Sequence, residues 1–580
     1  MVRRKQLFFD GRRRFVVSVF VVGAALLVWR AVYLQLTETD VLQGHGADRY
    51  LRTVELPAHR GTITDRHNEP LAVSTPVSSV GVIPSKLTQV RGRWPALARV
   101  LGISGQELTA FVQSRLERRF VLLRRHVPPE LAEEVMRLDI DGVELRQEVH
   151  RYYPAGEVTA HCVGFTDIDD KGQEGIELAY DEHLRGVSGS KRVIQDLIGH
   201  VVENVESVRA PQPGHDLALS IDKRVQYVAY RELKAAVREH QARAGSMVVL
   251  DTQTGEVLAA VNQPSYNPNN RKQLRAGYFR NRALTDTFEP GSTIKPFTIA
   301  SALEAGAIGV KTMIDTRPGY LRVGRHTVRD LHDYGLLDAT GIISKSSNVG
   351  ITKIAIALEP GQHWGMLARL GFGAATGSGF PGEAAGRLQH YAAWRSIDHA
   401  TVGFGYGLSV TALQLANAYL AFAIDGMLLP VSLLRLSERP DGRRVMSRSS
   451  AQTVRGMLEA AVRQGTGGLA RITGYRVAGK TGTVHKLARG GGYAKDRYVS
   501  LFAGMIPASR PRLIAVIMID EPARGEHFGG QVAAPVFARV MRDATRLLDI
   551  PPDDIAPLLP QNEQFLTRVH TADLPPVIRP

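Results

Sequence analysis

The stretch Glu289-Pro290-Gly291-Ser292-Thr293-Ile294-Lys295-Pro296-Phe297 holds a hydroxyl and an amine at a spacing that suits covalent catalysis. A serine hydroxyl is a poor nucleophile at neutral pH and needs an adjacent base. A lysine serves as that base only when burial or a second cation lowers its pKa. Pro290 and Gly291 mark a turn, and the apolar residues Ile294, Phe297, Ile299, Ala300 and Leu303 after it predict a helix. On that helix Ser292 and Lys295 share one face. Ser292 is therefore the expected nucleophile and Lys295 its activating partner.

Ser-x-x-Lys recurs at Ser188/Lys191 and at Ser220/Lys223, and so short a pattern is weak evidence alone. The first copy lies in a Gly-Ser turn and the second precedes a charged helix. Neither opens an apolar helix. Order singles out Ser292: Ser346-Ser347-Asn348 follows it, then Lys480-Thr481-Gly482-Thr483. Ser265-Tyr266-Asn267 has the Ser-x-Asn spacing but precedes Ser292 in a Pro/Asn-rich loop, and is set aside as a decoy.

The elements that must position these residues are legible around them. Residues 216–222 alternate as a strand, 224–243 read as a long helix, and 245–251 with 255–261 read as a hairpin. The middle, 301–422, reads as mainly helical, with a helix at 413–422 opened by the glycine-rich 403–407. Strand-like runs at 498–505 and 512–519 follow Lys480, and a last helix is expected at 535–547. Strands near both ends with helices between them predict a two- or three-layer mixed α/β architecture.

Upstream, Arg3, Arg4, Lys5, Arg12, Arg13 and Arg14 precede an apolar run at 15–29, which continues amphipathically to 36. With Arg30 snorkelling and Trp29 and Tyr33 at an interface, the run reaches the length of about 20 residues that a membrane span needs. A cleaved signal peptide is the rival, disfavoured because no small-x-small site follows the run. The basic flank predicts a cytoplasmic N-terminus. Residues 54–205 are mixed, with short helices expected at 95–101, 106–116 and 128–138. The paired carboxylates Glu174 and Glu177 read as a solvated or salt-bridged turn rather than an acid–base pair. This region reads as a separate, non-catalytic module, and 207–214 as a linker.

Across 580 residues the net charge is +15, with 44% hydrophobic and 22% charged residues. That composition is ordinary for a globular chain. The basic excess fits an anionic membrane surface or acidic substrates. Nucleic acid is disfavoured, because neither zinc-finger spacing nor an RNA-recognition motif occurs. The single cysteine, Cys162, excludes an intramolecular disulfide and a multi-cysteine metal site, and reads as a buried small apolar residue. The 18 histidines are dispersed without a His-Glu-x-x-His pattern, so no metal and no cofactor is expected.

Ser-x-x-Lys, Ser-x-Asn and Lys-Thr-Gly in this order resemble the penicilloyl-serine transferases. Arg60-Gly61-Thr62-Ile63-Thr64-Asp65-Arg66, Arg151-Tyr152-Tyr153-Pro154 and Gly172-Gln173-Glu174-Gly175-Ile176-Glu177 are similar to the N-terminal module of class B penicillin-binding proteins. Arg30-Ala31-Val32-Tyr33-Leu34-Gln35 after the anchor is similar too. Length and these details most resemble the division-specific transpeptidases of that class. The resemblance implies an α/β (α+β) penicillin-binding/β-lactamase-like transpeptidase domain, a sheet flanked by helices, at 244–548. Before it are expected a basic cytoplasmic tail (1–14), a single transmembrane anchor (15–36), a mixed α/β pedestal (37–206), and a linker with the first strand and helix (207–243). A Pro-rich tail (549–580) would follow.

The resemblance also implies roles. Ser292 Oγ attacks the carbonyl between two D-alanines of a peptidoglycan stem peptide, and an amine from a neighbouring strand resolves the acyl-enzyme. Lys295 takes the Ser292 proton, helped by the field of Lys480. Ser346 relays a proton to the leaving amine, and Asn348 holds Lys295 and the substrate backbone. Lys480, Thr481 and Thr483 bind the terminal carboxylate, and the backbone N–H groups of Ser292 and Thr483 form an oxyanion hole. Gly482 leaves room for a substrate lying as an added strand. Ser347, Tyr498 and Phe528 are expected to contact substrate, with His485, His527 and 403–407 bordering the cleft. The expected partners are stem peptides and their lipid-linked precursor, β-lactam antibiotics, the inner membrane, and divisome proteins including a polytopic glycosyltransferase. The catalytic domain would lie in the periplasm. Two other readings stand beside this one. A β-lactam hydrolase or D,D-carboxypeptidase usually lacks the upstream module, and a non-enzymatic antibiotic sensor or divisome scaffold would acylate without cross-linking.

Overall fold

The computed structural model of the chain describes residues 3–36, 38, 51–56, 58–195, 201–270, 275–488 and 491–554. The expected Pro-rich tail lies outside the described residues from 555 onward. Five strands, β1 (Ala244–Asp251), β2 (Val257–Gln263), β3 (Ala478–Leu487), β4 (Tyr493–Ile506) and β5 (Leu513–Asp520), form an antiparallel sheet in the order β2-β1-β5-β4-β3. Side chains alternate across a strand, so both faces of these apolar runs need cover. Val248, Leu250, Val516, Leu501 and Ala503 join one core, while Met247, Val249, Ala515, Ile517 and Phe502 join the other. The helical block, including Lys295–Glu304 and Ala412–Ala423, fills the first core. Lys223–Glu239 and Ala534–Leu547 fill the second. The sheet is thus the middle of three layers. β3, which carries Lys480, is an end strand whose one strand neighbour among the described residues is β4.

The helix Ala412–Ala423 is buried along its whole length. Its N-terminus is closed by a reciprocal capping box, Thr411 Oγ1 accepting from the Gln414 N–H and Gln414 Oε1 from the Thr411 N–H. Phe297 stacks on Phe422 with ring centroids 4.8 Å apart and meets Tyr419 edge-on at 5.3 Å. Full burial of one such ring stabilises by about 1.5–3 kcal/mol. The Tyr419 hydroxyl donates to the Thr293 carbonyl at 2.9 Å. This helix therefore fixes the turn that holds Ser292.

The chain divides into two compact units, one of Met1–His59 with Gly186–Gly214, the other of Arg60–Arg185 with His215–Pro580. The first contains the helix Arg3–Leu36 and a three-stranded antiparallel sheet of Leu51–Leu56, Gly189–Gln195 and Val201–Arg209. Within the helix, Gly11–Leu36 is long and apolar enough to cross a membrane. Its 26 residues span about 39 Å at 1.5 Å each, against a hydrocarbon core of about 30 Å. Phe15, Phe20 and Leu27 are over 70% exposed.

Early in the second unit the strand Pro70–Val82 pairs along most of its length with Val143–Tyr152 and at its far end with Val121–Val127. Three helices cover that end at Trp94–Leu101, Gly105–Gln113 and Pro129–Arg137, close to the expected ranges. They enclose a core of their own around Leu87, Leu97, Leu108 and Val135. The near end is not separate. Ile63, Leu71, Tyr153, Cys162, Ile176 and Leu184 belong to the same core as β1 and β2. Cys162 is wholly buried, its thiol donates to the Ala260 carbonyl at 3.1 Å, and burial pushes its pKa up to about 12. The expected separate module is thus independent only at its helix-covered end. Glu177 is a salt-bridged residue, as expected, but a fully buried one, with Arg60 Nε and Arg151 Nε each 2.7 Å from its carboxylate. The strand expected at 216–222 shrinks to Leu217–Ala218, because Asp222 turns to cap the helix that follows.

Candidate active site

Ser292 sits on a single 3-10 turn, Gly291–Ile294, that runs into the helix Lys295–Glu304. The turn is held from the side by the glycine-rich 403–407. The Gly291 N–H donates to the Gly405 carbonyl at 3.0 Å. Gly405 has φ +92°, and a Cβ there would fall 2.0 Å from the Gly291 oxygen. Only glycine meets both demands. One carboxylate oxygen of Glu289 accepts from the Gly407 N–H at 2.8 Å and from the Tyr493 hydroxyl at 3.1 Å, tying this loop to the β3–β4 hairpin.

The Ser346 hydroxyl is the junction of the site. It lies 3.0 Å from Ser292 Oγ, 2.9 Å from Lys480 Nζ and 3.3 Å from Lys295 Nζ. Lys295 Nζ also donates to the Ser346 carbonyl at 2.6 Å and to Asn348 Oδ1 at 2.8 Å. Both lysines are fully buried. Burial holds Lys295 well below the usual lysine range, the charge of Lys480 pushes the same way, and Asp330 opposes them. Burial brings Lys480 down to about 7. A neutral Lys295 has two N–H donors, matching the Ser346 carbonyl and Asn348 Oδ1, and its lone pair remains for a hydroxyl proton. Among the described residues no hydrogen bond joins Lys295 directly to Ser292, so the resting path between them runs through Ser346.

Ser346 closes the helix Ala339–Lys345 in the left-handed conformation, φ +59° and ψ +37°. That is costly for a residue with a side chain, about 1–3 kcal/mol for such outliers. It coincides with both its carbonyl and its hydroxyl engaging lysines. Ser347, expected against substrate, is instead wholly buried. Its Oγ accepts from the Gly350 N–H at 2.9 Å, capping the helix Asn348–Ile356, and donates to Asp330 at 2.5 Å. Asp330 also accepts from the N–H groups of Asn348 and Val349. A carboxylate is favoured at a helix N-terminus, and here it fixes the Asn348 amide. The amide Nδ2 of Asn348 donates to the Arg329 carbonyl at 3.1 Å.

On β3 the Thr481 hydroxyl pairs with the Thr466 hydroxyl at 2.7 Å, and Thr483 Oγ1 accepts from the Gly529 N–H at 3.0 Å. At Gly482 a Cβ would stand 3.1 Å from Thr293 Cγ2 and 3.2 Å from the Pro290 carbonyl, so the glycine also lets β3 approach the Ser292 turn. Tyr498, His485, His527 and Phe528 form a run of rings. Tyr498 stacks on His527 at 4.0 Å and lies 4.6 Å from His485, and His527 lies 4.5 Å from Phe528. The Tyr498 hydroxyl donates to the Lys495 carbonyl at 2.8 Å, and Phe528 is 43% exposed.

Ser292, Lys295, Ser346, Asn348 and Lys480 therefore come together, and Ser347 does not join them. The decoys stand apart: the Ser220 hydroxyl donates to backbone carbonyls of Val257 and Ser432, and the Ser265 hydroxyl to that of Glu157. Asp330, Thr466, Glu289 and Tyr419 were not assigned roles from sequence. Each is a single residue distant in the chain from its partner, with no pattern to mark it.

A buried lysine pair bridged by a serine hydroxyl beside a turn-borne serine defines an active-serine acyl transferase. The family model described as the penicillin binding protein transpeptidase domain matches residues 245–542, and that of the penicillin-binding protein dimerisation domain matches 55–219. The chain is 42% identical over 541 residues to the probable peptidoglycan D,D-transpeptidase PbpC of Pseudomonas aeruginosa, covering 93% of this chain and 96% of the relative. It is 40% identical over 552 residues to the peptidoglycan D,D-transpeptidase FtsI of Escherichia coli, covering 94% and 93%. Among solved structures, penicillin-binding protein 3 of Mycobacterium tuberculosis complexed with aztreonam aligns with a TM-score of 0.68 at 29% identity, covering 87% of this chain and 99% of that one. The chain belongs to the class B penicillin-binding proteins, with a dimerisation domain followed by a transpeptidase domain.

Proposed function

We propose that this chain is a serine D,D-transpeptidase that cross-links peptidoglycan stem peptides at the division septum and is acylated by β-lactams at Ser292. The observation that carries the reading is the Ser292–Ser346–Lys480/Lys295 hydrogen-bonded cluster with both lysine amino groups removed from water. In acylation Ser292 Oγ bonds to the carbonyl carbon between two D-alanines while its proton passes to neutral Lys295, directly once substrate is bound or through Ser346. The developing oxyanion is held by the backbone N–H groups of Ser292 and Thr483. The C–N bond then breaks, the departing D-alanine amine takes the proton from Ser346 Oγ, and Lys295 replaces it. In the second half an acceptor amine attacks the ester carbonyl, its proton returns through the same path, and Ser292 leaves as the hydroxyl. Lys480 in its charged form pairs with the substrate's terminal carboxylate, with Thr481 and Thr483 beside it. An extended stem peptide lies along the open edge of β3.

The apolar helix Gly11–Leu36 and its basic flank support an inner-membrane anchor with the catalytic unit in the periplasm. Divisome partners, including a polytopic glycosyltransferase, are part of the same reading and rest on the resemblance to division-specific transpeptidases alone. The test is incubation of the full chain with glycan strands carrying pentapeptide stems. Cross-linked dimers that disappear with Ser292→Ala are expected. Release of D-alanine without dimers would assign the site to a carboxypeptidase instead.

A further inference from the structure

A second concave site lies where the turn after β1 meets the turn leading into β5 and the chain leaving the helix Ala412–Ala423. The cavity is about 340 Å³, and its wall carries Arg439, Arg444, Arg448, Arg510 and Arg512 against the single carboxylate of Asp425, a net of four positive charges. Asp425 is already engaged, 3.1 Å from Arg455 and 3.4 Å from Arg448. Arg444 is turned to the backbone carbonyls of Asp425 and Met446. Among the described residues the side chains of Arg439, Arg510 and Arg512 make no hydrogen bond or ion pair, and Asp251, outside the cavity wall, is near enough for its charge to feel Arg512. The Nε–H of Arg512 is buried without an acceptor. The walls are fixed, because the Thr252 N–H donates to the Arg512 carbonyl at 3.0 Å and its hydroxyl to the Pro511 carbonyl at 2.7 Å.

A guanidinium does not deprotonate in a protein, so this charge persists at every working pH. A concave wall of one sign concentrates counter-charge. Burial lowers the pKa of Lys295 and of Lys480, an escape closed to these arginines. The unused forks of Arg439, Arg510 and Arg512 match planar or tetrahedral oxyanions. Charge density chooses between ligand classes. Carboxylates on one face of an extended peptide recur only about every 7 Å, too sparse to set four charges in a cavity of about 340 Å³. Two linked phosphoryl groups do so easily. We propose that this cavity binds a polyvalent phosphoryl ligand of diphosphate size or larger.

The test is calorimetric titration of the full chain in neutral detergent with inorganic pyrophosphate and with orthophosphate. Pyrophosphate is expected to bind more tightly than orthophosphate, and Arg510→Gln/Arg512→Gln to weaken it at least about tenfold. Arg118→Gln/Arg119→Gln, on exposed residues elsewhere, controls for general attraction to a basic chain and should leave the Kd unchanged. Fluorescent-penicillin labelling of Ser292 verifies that both double variants are folded. Mixed micelles containing cardiolipin distinguish the sources. Competition with pyrophosphate identifies a lipid headgroup as the phosphoryl source, and its absence identifies a soluble diphosphate. Equal losses in the two double variants, or no preference for pyrophosphate, would overturn the proposal.

Discussion

Replacing Ser346 by alanine or by glycine separates two roles that one residue performs. Both variants lose the hydroxyl that joins Ser292 to the lysines, and acid–base relays of this kind contribute on the order of 10²–10⁴ in rate. Only glycine relieves the left-handed backbone at φ +59°. Ser346→Gly should therefore be about 1 kcal/mol more stable than Ser346→Ala yet acylate as slowly, by thermal unfolding and stopped-flow β-lactam binding. Recovery of rate in the glycine variant would show that geometry, not the hydroxyl, matters. The lysines add a pH dependence. Folding lowers the Lys480 pKa from the ordinary value of about 10.4 to about 7, so unfolding takes up a proton in that window. Its contribution to stability is greatest above the ordinary pKa and is lost as pH falls to about 7. Lys480→Met should flatten the rise of Tm across that window. Ser292, Lys295, Ser346, Asn348 and Lys480 were legible because fixed spacing on a helix, a turn and a strand is written in the chain. Ser347 was misplaced because adjacency to Ser346 does not tell which way a side chain turns after a left-handed residue.

Elements hold these groups through close backbone approaches rather than through long side chains. Gly405→Ala would drive a methyl into the Gly291 carbonyl and disfavour φ +92° together. Gly371→Ala meets similar backbone strain at φ +93° but open space. The first should lose at least about tenfold in acylation rate, since small displacements of a nucleophile are costly. The second should lose only stability, on the order of 1 kcal/mol. Equal acylation in the two would show that the 403–407 loop does not position Ser292. The strands and helices of the three-layer core could be read from their apolar periodicity, with ends displaced by a few residues. What escaped was which loop faces which. Glu289 reaches Tyr493 and Gly407 only after the sheet and the helical block have closed, and no local pattern announces that closure.

At the scale of the whole molecule, the segment that reads as a separate module shares a core with the catalytic sheet. Its composition shift and glycine-rich breaks mark a boundary in sequence, while Tyr153, Cys162 and Ile176 carry apolar surface across it. Glu177 is the polar counterpart. With Arg60 and Arg151 both within 2.7 Å and the carboxylate fully buried, Glu177→Ala leaves the Arg151 guanidinium with no carboxylate and Arg60 with Asp181 alone. It should destabilise by about 3–5 kcal/mol, read as a fall in the midpoint of denaturant unfolding. Ser292 labelling should survive under conditions where the variant remains folded. A variant of wild-type stability would mean that Arg60 and Arg151 find other acceptors. The most direct measurement of the central claim is peptide mapping by mass spectrometry of the full chain after reaction with a β-lactam. One covalent adduct on Ser292 is expected, lost in Ser292→Ala and formed slowly in Lys295→Ala. An adduct on Ser188, Ser220 or Ser265, or labelling that persists in Ser292→Ala, would contradict it.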